Sequence, residues 1–125
     1  RFRHAKTLQW LSFEQYYVEP TIGTLRFWTL TGRLEQNAGP MIDKRRLNAE
    51  RALAALERTI AAQKFLVGNE FTIADLAVYA YGHLAEDCGF RFAEYPAVAS
   101  WLDRVAGIIG PDHPVRLYGD EARLV

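Results

Sequence analysis

Asp75, Tyr79 and His83 are the side chains of this sequence whose types and positions best suit acid–base or binding chemistry. A carboxylate at the start of an otherwise apolar helix suggests a buried acid or base. Asp75, however, follows Thr72 by three residues, the spacing at which a carboxylate reaches back to the N–H of Thr72 while the Thr72 hydroxyl accepts from a first-turn N–H. That use occupies its oxygens, and Asp75 reads as a structural anchor. Tyr79 and His83 lie four residues apart on one face of the same helix, placed either to point into a cleft or to be buried with a satisfied polar tip. The other reactive types are dispersed. His4, His83, His113 and the single Cys88 give no metal-ligand spacing. No glycine-rich phosphate loop or nucleophile elbow is present, and Ser12 and Ser100 fall inside expected helices. Cys88, near a helix C-terminus, meets the negative end of the dipole, which raises a thiol pKa and predicts an inert cysteine. Neither a self-contained catalytic group nor a metal is expected.

The elements that position these residues are helices. Phe71 before the Thr72 cap and Leu76 inside the helix are spaced as a hydrophobic staple, completing a helix start in consecutive residues. The helix that follows, about 73 to 87, is apolar nearly all round, which predicts a place in the middle of a bundle, with Gly89 as its stop. A first helix is expected from about 4 to 31, with Leu8, Leu11, Gln15, Val18, Ile22 and Leu25 marking one face and Pro20 kinking it near 16 to 20. Gly32 and the run Asn37 to Pro40 mark a loop. A second helix, about 41 to 64, buries Ala49, Leu53, Leu56 and Ile60. Its basic run Lys44, Arg45 and Arg46 interleaves with acids and reads as a solvated, self-paired face, Arg46 and Glu50 having the spacing of a helical ion pair. The last helix starts at Pro96, runs to about 106 and packs Val98, Trp101, Leu102 and Val105, with Gly107, Gly110 and Pro111 ending it. Residues 111–125 read as an irregular tail. The fold class is all-α, a helical bundle of four to five helices in one domain spanning residues 1–125.

Composition sets the bounds. A chain of 125 residues, half of them apolar, can bury one core. Fifteen basic residues balance fifteen acidic ones, so no electrostatic case exists for nucleic acid or an anionic membrane, and neutrality favours self-association. One cysteine suits a reducing compartment, no apolar run reaches membrane-spanning length and no signal peptide is visible, so a cytoplasmic location is expected. A start at Arg1 instead of Met suits a fragment or a processed piece.

The segment from Phe65 to Asp75, reading Phe-Leu-Val-Gly-Asn-Glu-Phe-Thr-Ile-Ala-Asp, resembles the one that opens the buried core helix of the glutathione transferase C-terminal domain. Upstream, Leu8 to Gln15 resembles the first long helix of that domain, and downstream Tyr95 to Val105 resembles its closing helix. The resemblance implies an all-helical domain that supplies the pocket for a hydrophobic electrophile, in a homodimeric parent. That parent's separate thioredoxin-like domain would hold the co-substrate glutathione and activate its thiol, so this chain alone is expected to be inactive. It also implies a cleft lined by the middle of the first helix, here Tyr16, Tyr17, Glu19, Pro20 and Gly23, with Phe27 and Trp28 further along and Tyr79 or His83 facing it from the core helix. Glu19 and Pro20 stand where the bacterial beta class carries a histidine and a lysine, which sets this sequence apart from that class. The competing reading is a non-enzymatic docking module of the same fold, as in elongation factor subunits and aminoacyl-tRNA synthetases. Judged on the cap alone, Asp75→Ala is expected to cost about 1–2 kcal/mol in a melting experiment.

Overall fold

The computed structural model describes residues 1–110, and the expected tail lies outside the described residues. The described chain is all-helical. Helix α1 (Phe2–Phe13) passes without a break into a π-helical segment (Glu14–Gly23) and then α2 (Thr24–Leu30). The remaining long helices are α3 (Gly39–Ala62), α4 (Ile73–Gly82) and α5 (Pro96–Ile109), joined through short 3₁₀ turns at Leu34–Gln36, Ala85–Cys88 and Phe92–Glu94. Extended pairing among the described residues is limited to one isolated bridge between Phe65 and Gly68.

Pro20 acts as expected on the first helix, but its effect takes the form of a change of register. Proline cannot donate to a preceding carbonyl. Around it the chain widens from α to π hydrogen bonding over ten residues, Glu14–Gly23, while φ and ψ at Glu14, Gly23 and Thr24 stay in the right-handed helical region. The Thr21 hydroxyl donates to the carbonyls of Tyr17 and Val18, and Arg45 of α3 donates to the carbonyl of Pro20. The buried face also differs from the expected one. Val18, Ile22 and Leu25 are fully buried as expected, whereas Leu8 and Gln15 are exposed and Glu14 is buried in place of its neighbour.

Helix α3 supplies Ala49, Leu53, Leu56 and Ile60 to the core, and α5 supplies Val98, Trp101, Leu102 and Val105. Pro96 occupies the first turn of α5, whose Tyr95 N-cap offers no side-chain acceptor. Glu57 of α3 takes that role, accepting from the N–H groups of Ala97 (3.0 Å) and Val98 (2.9 Å). Gly107 lies within α5, and the helix ends instead at Gly110, whose φ of 89° is available to glycine. The expected Arg46–Glu50 pair is replaced by a longer reach: Arg46 donates to the carbonyl of Cys88 (2.8 Å), and no ion pair joins two residues of α3 among the described residues.

Helix α4 is shorter than its apolar sequence implies. It stops at Gly82, and the 3₁₀ turn after it ends at Gly89, with φ of 95°. Ala74, Val78 and Tyr79 face the core, while Ile73 (61 % exposed) and Leu76 (45 % exposed) leave one side uncovered within this chain. Phe71 sets its ring edge-on to Phe65, with centroids 6.0 Å apart.

The capping box at the start of α4 is present and forms part of a larger junction. Asp75 is fully buried, and Oδ2 accepts from the N–H (2.9 Å) and hydroxyl (3.3 Å) of Thr72. Oδ1 accepts from the N–H of Leu66 (2.9 Å) and from the indole Nε1 of Trp101 (2.9 Å). One carboxylate thus ties the loop after α3, the start of α4 and the middle of α5. Removing it strands two buried donors, the Leu66 N–H and the Trp101 indole, and the part-buried Thr72 N–H, each costing about 1–3 kcal/mol in part offset by relaxation. Asp75→Ala is predicted to lose about 3–5 kcal/mol in urea unfolding, more than the cap alone implies, whereas Thr72→Ala loses about 1 kcal/mol. Equal losses for the two variants would contradict the three-way junction.

Candidate functional site

The π-helical segment carries five of the residues expected at the cleft, and its geometry distributes them over more than one face. Tyr16 (76 % exposed) and Tyr17 (53 % exposed) stand at the surface. With Gln9, Ser12 and Phe13 they line an open groove of about 410 Å³. Aromatic rings form part of its wall: Phe13 meets Tyr17 at 5.4 Å, and Trp10, behind the lining, meets Phe13 edge-on at 4.9 Å. Phe13 was not expected at a site. Its four-residue step to Tyr17 was the signal available for it.

Glu19 and Gly23 line a second hollow of about 250 Å³ with Thr24, Phe27 and Tyr81. Gly23 is needed there for close approach. A Cβ at this position would lie 3.0 Å from Cδ1 and Cε1 of the Tyr81 ring, so its absence lets α4 lie against the first helix. Tyr81 is the member that sequence reasoning missed. Pro20 joins Tyr16 in a third hollow, of about 290 Å³, against the N-terminal half of α3. A larger space of about 530 Å³ lies at the other end of the molecule, between the start of α1 and the loop from Gln63 to Glu70, and holds none of the expected residues.

Tyr79 and His83 do not join these surfaces. Tyr79 is buried, stacks on His83 (centroids 4.3 Å apart, rings 3° from parallel) and meets Trp101 edge-on at 6.5 Å. His83 Nδ1 lies 2.6 Å from the Tyr79 carbonyl. Neither residue is among those lining these four hollows. The physical reason is position on α4: Tyr79 follows Asp75 by one turn, and the Asp75–Trp101 hydrogen bond holds that face of α4 against α5. Burial raises the Tyr79 phenol pKa, with a further push from the Asp103 carboxylate.

The other perturbed groups also lack a role in activating a nucleophile. Burial is the main cause that raises the pKa of the Glu14 carboxyl; the nearby Glu19 charge adds to it and the Gln15 amide, 2.6 Å away, opposes it. Cys88 is buried, and its thiol is pushed up to about 11, chiefly by burial, with Arg46 opposing and Asp87 adding to the rise. The inert character expected of Cys88 therefore rests on desolvation more than on a helix dipole. Among the described residues no group of three or more His, Cys, Asp or Glu side chains is placed to hold a metal. No described helix is long and apolar enough to cross a membrane.

Comparison with known proteins gives a consistent result. The family model described as glutathione S-transferase, C-terminal domain, matches residues 40–104. A glutathione S-transferase structure from Xanthobacter autotrophicus Py2 is similar at 36 % identity and a TM-score of 0.83, over 90 % of this chain and 55 % of that one. One from Pseudomonas fluorescens Pf-5 is 34 % identical with a TM-score of 0.79, over 94 % of this chain and 57 % of its own. A possible glutathione S-transferase from Rhodopseudomonas palustris is 34 % identical with a TM-score of 0.78, over 85 % and 48 % of the two chains. The chain thus spans about half the length of the structures it matches.

The Cys88 environment yields a pH prediction with a definite sign. A thiol whose pKa rises from 9.0 unfolded to about 11 folded stabilises the fold fully below pH 9, and that contribution is lost as pH rises toward 11. Wild-type stability should therefore fall more steeply between pH 9 and 11 than that of Cys88→Ala, by on the order of 2 kcal/mol. Native protein at pH 8 should also resist thiol reagents that modify the urea-unfolded chain. Parallel pH profiles for the two proteins would refute the buried-thiol account.

Proposed function

From the premise that this chain belongs to the glutathione S-transferase family through its C-terminal domain, we propose that it is the electrophile-binding domain of a transferase. The carrying observation is the groove in which Tyr16 and Tyr17 stand exposed beside Phe13 on the π-helical segment. Aromatic walls open to solvent suit a planar, apolar electrophile, held by ring contacts and desolvation. The groove offers side-chain hydroxyls and an amide but no charged group for the termini of a peptide, so glutathione is assigned to the parent's other domain as co-substrate. The parent's reaction on this reading is attack of a glutathione thiolate on an electrophilic carbon, or a glutathione-dependent reduction. This domain contributes proximity and orientation. One such domain over residues 1–125, a homodimeric parent and inactivity of the isolated chain belong to the same proposal. Tyr79 and His83 enter it as supports of the fold.

The test is titration of the 125-residue chain with an activated aryl halide, followed by quenching of tryptophan fluorescence. Trp10, in contact with Phe13, should report the binding. Tyr16→Ala, which removes an exposed ring, should weaken binding about tenfold, matching an aromatic contact of about 1–1.5 kcal/mol, and leave the melting temperature unchanged. In the parent enzyme the same variant should lower kcat/KM for the electrophile and leave the glutathione KM unchanged. Absence of aryl halide binding, or equal losses toward both substrates, would favour the docking-module reading.

A further inference from the structure

The basic run on α3 does not form the self-paired face that its sequence suggested. Arg45 turns inward, donates through Nη1 to the Pro20 carbonyl and lays its guanidinium over the Trp28 ring, 5.0 Å from the centroid. Its Nε is buried and makes no hydrogen bond among the described residues. Lys44 stays beside it with no acidic partner among the described residues. These two cations border the third hollow, of about 290 Å³, together with Tyr16 and Asn48. Met41 and the first-helix residues Pro20 and Thr21 close it, and no carboxylate is among its lining residues. The nearest acids along the chain are Asp43, exposed on α3, and Glu19, whose Oε2 accepts from Gln15 at 3.0 Å.

We infer that this hollow, between the π-helical segment and α3, is a binding site for a small oxyanion, the carboxylate or phosphate group of an organic acid. Four residues with donor groups line it, carrying a phenol, an ammonium, a guanidinium and an amide. Charge-assisted hydrogen bonds from Lys44 and Arg45 supply the attraction, and Tyr16 and Asn48 supply direction. The chain carries no net charge, so the attraction is local to this hollow and does not reflect a basic protein. The inference is independent of the transferase reading, because the groove of Tyr17 and Phe13 lies in a different hollow that shares with this one only Tyr16.

The test uses ¹⁵N-labelled chain titrated separately with sodium phosphate and sodium acetate, with ionic strength held constant by sodium chloride. Saturable shifts of the Tyr16, Lys44, Arg45 and Asn48 amides are expected. Lys44→Gln and Asn48→Leu should each weaken binding about tenfold, while Lys64→Gln, just past the far end of α3, leaves it unchanged. Arg45 is left intact because it also holds the Pro20 carbonyl. Tighter binding of phosphate would identify a phosphate ester as the ligand type, and tighter binding of acetate a carboxylate. Shifts reproduced by sodium chloride alone, an equal loss in Lys64→Gln, or shifts that follow chain concentration instead of anion concentration would each overturn the site.

Discussion

A single fully buried carboxylate fixes the relation among three parts of this domain. Asp75 accepts from the N–H of Leu66, the N–H and hydroxyl of Thr72 and the indole of Trp101, so the loop leaving α3, the start of α4 and the body of α5 share one acceptor. Burying a charge is unfavourable unless every lone pair finds a donor, and here backbone and indole N–H groups at 2.9 Å supply them. Trp101, the largest fully buried side chain, is placed by this bond, and Tyr79 packs edge-on against it one turn along α4. The same bond that stabilises the bundle thus commits Tyr79 to the interior.

The first helix is governed by a second constraint, the missing N–H of Pro20. The widening to π register carries Glu14 inward and turns Tyr16 and Tyr17 outward. Side chains in a π turn follow one another at a different angular step from those in an α turn, so residues that an α-helical reading places along one cleft end on separate surfaces. Tyr17 faces the aromatic groove, Glu19 and Gly23 face Tyr81, and Pro20 faces α3. Such segments concentrate at functional sites, and the groove assigned to the electrophile lies on this one.

Legibility from sequence divides along the same lines. The capping box, the proline start of α5 and the buried stripes of α3 and α5 follow local rules that hold wherever the helix sits, and they are found where the sequence places them. What was not legible depends on neighbours far along the chain. Glu57 caps α5 from forty residues away, and Arg46 reaches Cys88 across forty-two. Nothing in the local spacing of Arg46 and Glu50 announces that a backbone carbonyl will compete for the guanidinium. Of the candidate site, the positions along the first helix were legible, but their partition among faces was not, because it needs the π register. The absence of a side chain at Gly23 has meaning only once Tyr81 is seen against it.

The perturbed groups bear on how labour is divided in the proposed enzyme. Activating a thiol nucleophile needs a group that lowers its pKa: a cation, a helix N-terminus or a preorganised donor. Four groups of this domain shift the other way. Glu14, Tyr79, Tyr95 and Cys88 are all raised, each chiefly by burial. Burial that favours the neutral form suits a wall that excludes water around an apolar substrate, not a site that creates a charged nucleophile. On the proposed reading, a domain built this way accelerates a reaction only by what it holds in place beside a nucleophile prepared elsewhere, and the exposed rings of Tyr16 and Tyr17 are the part of it assigned to that holding.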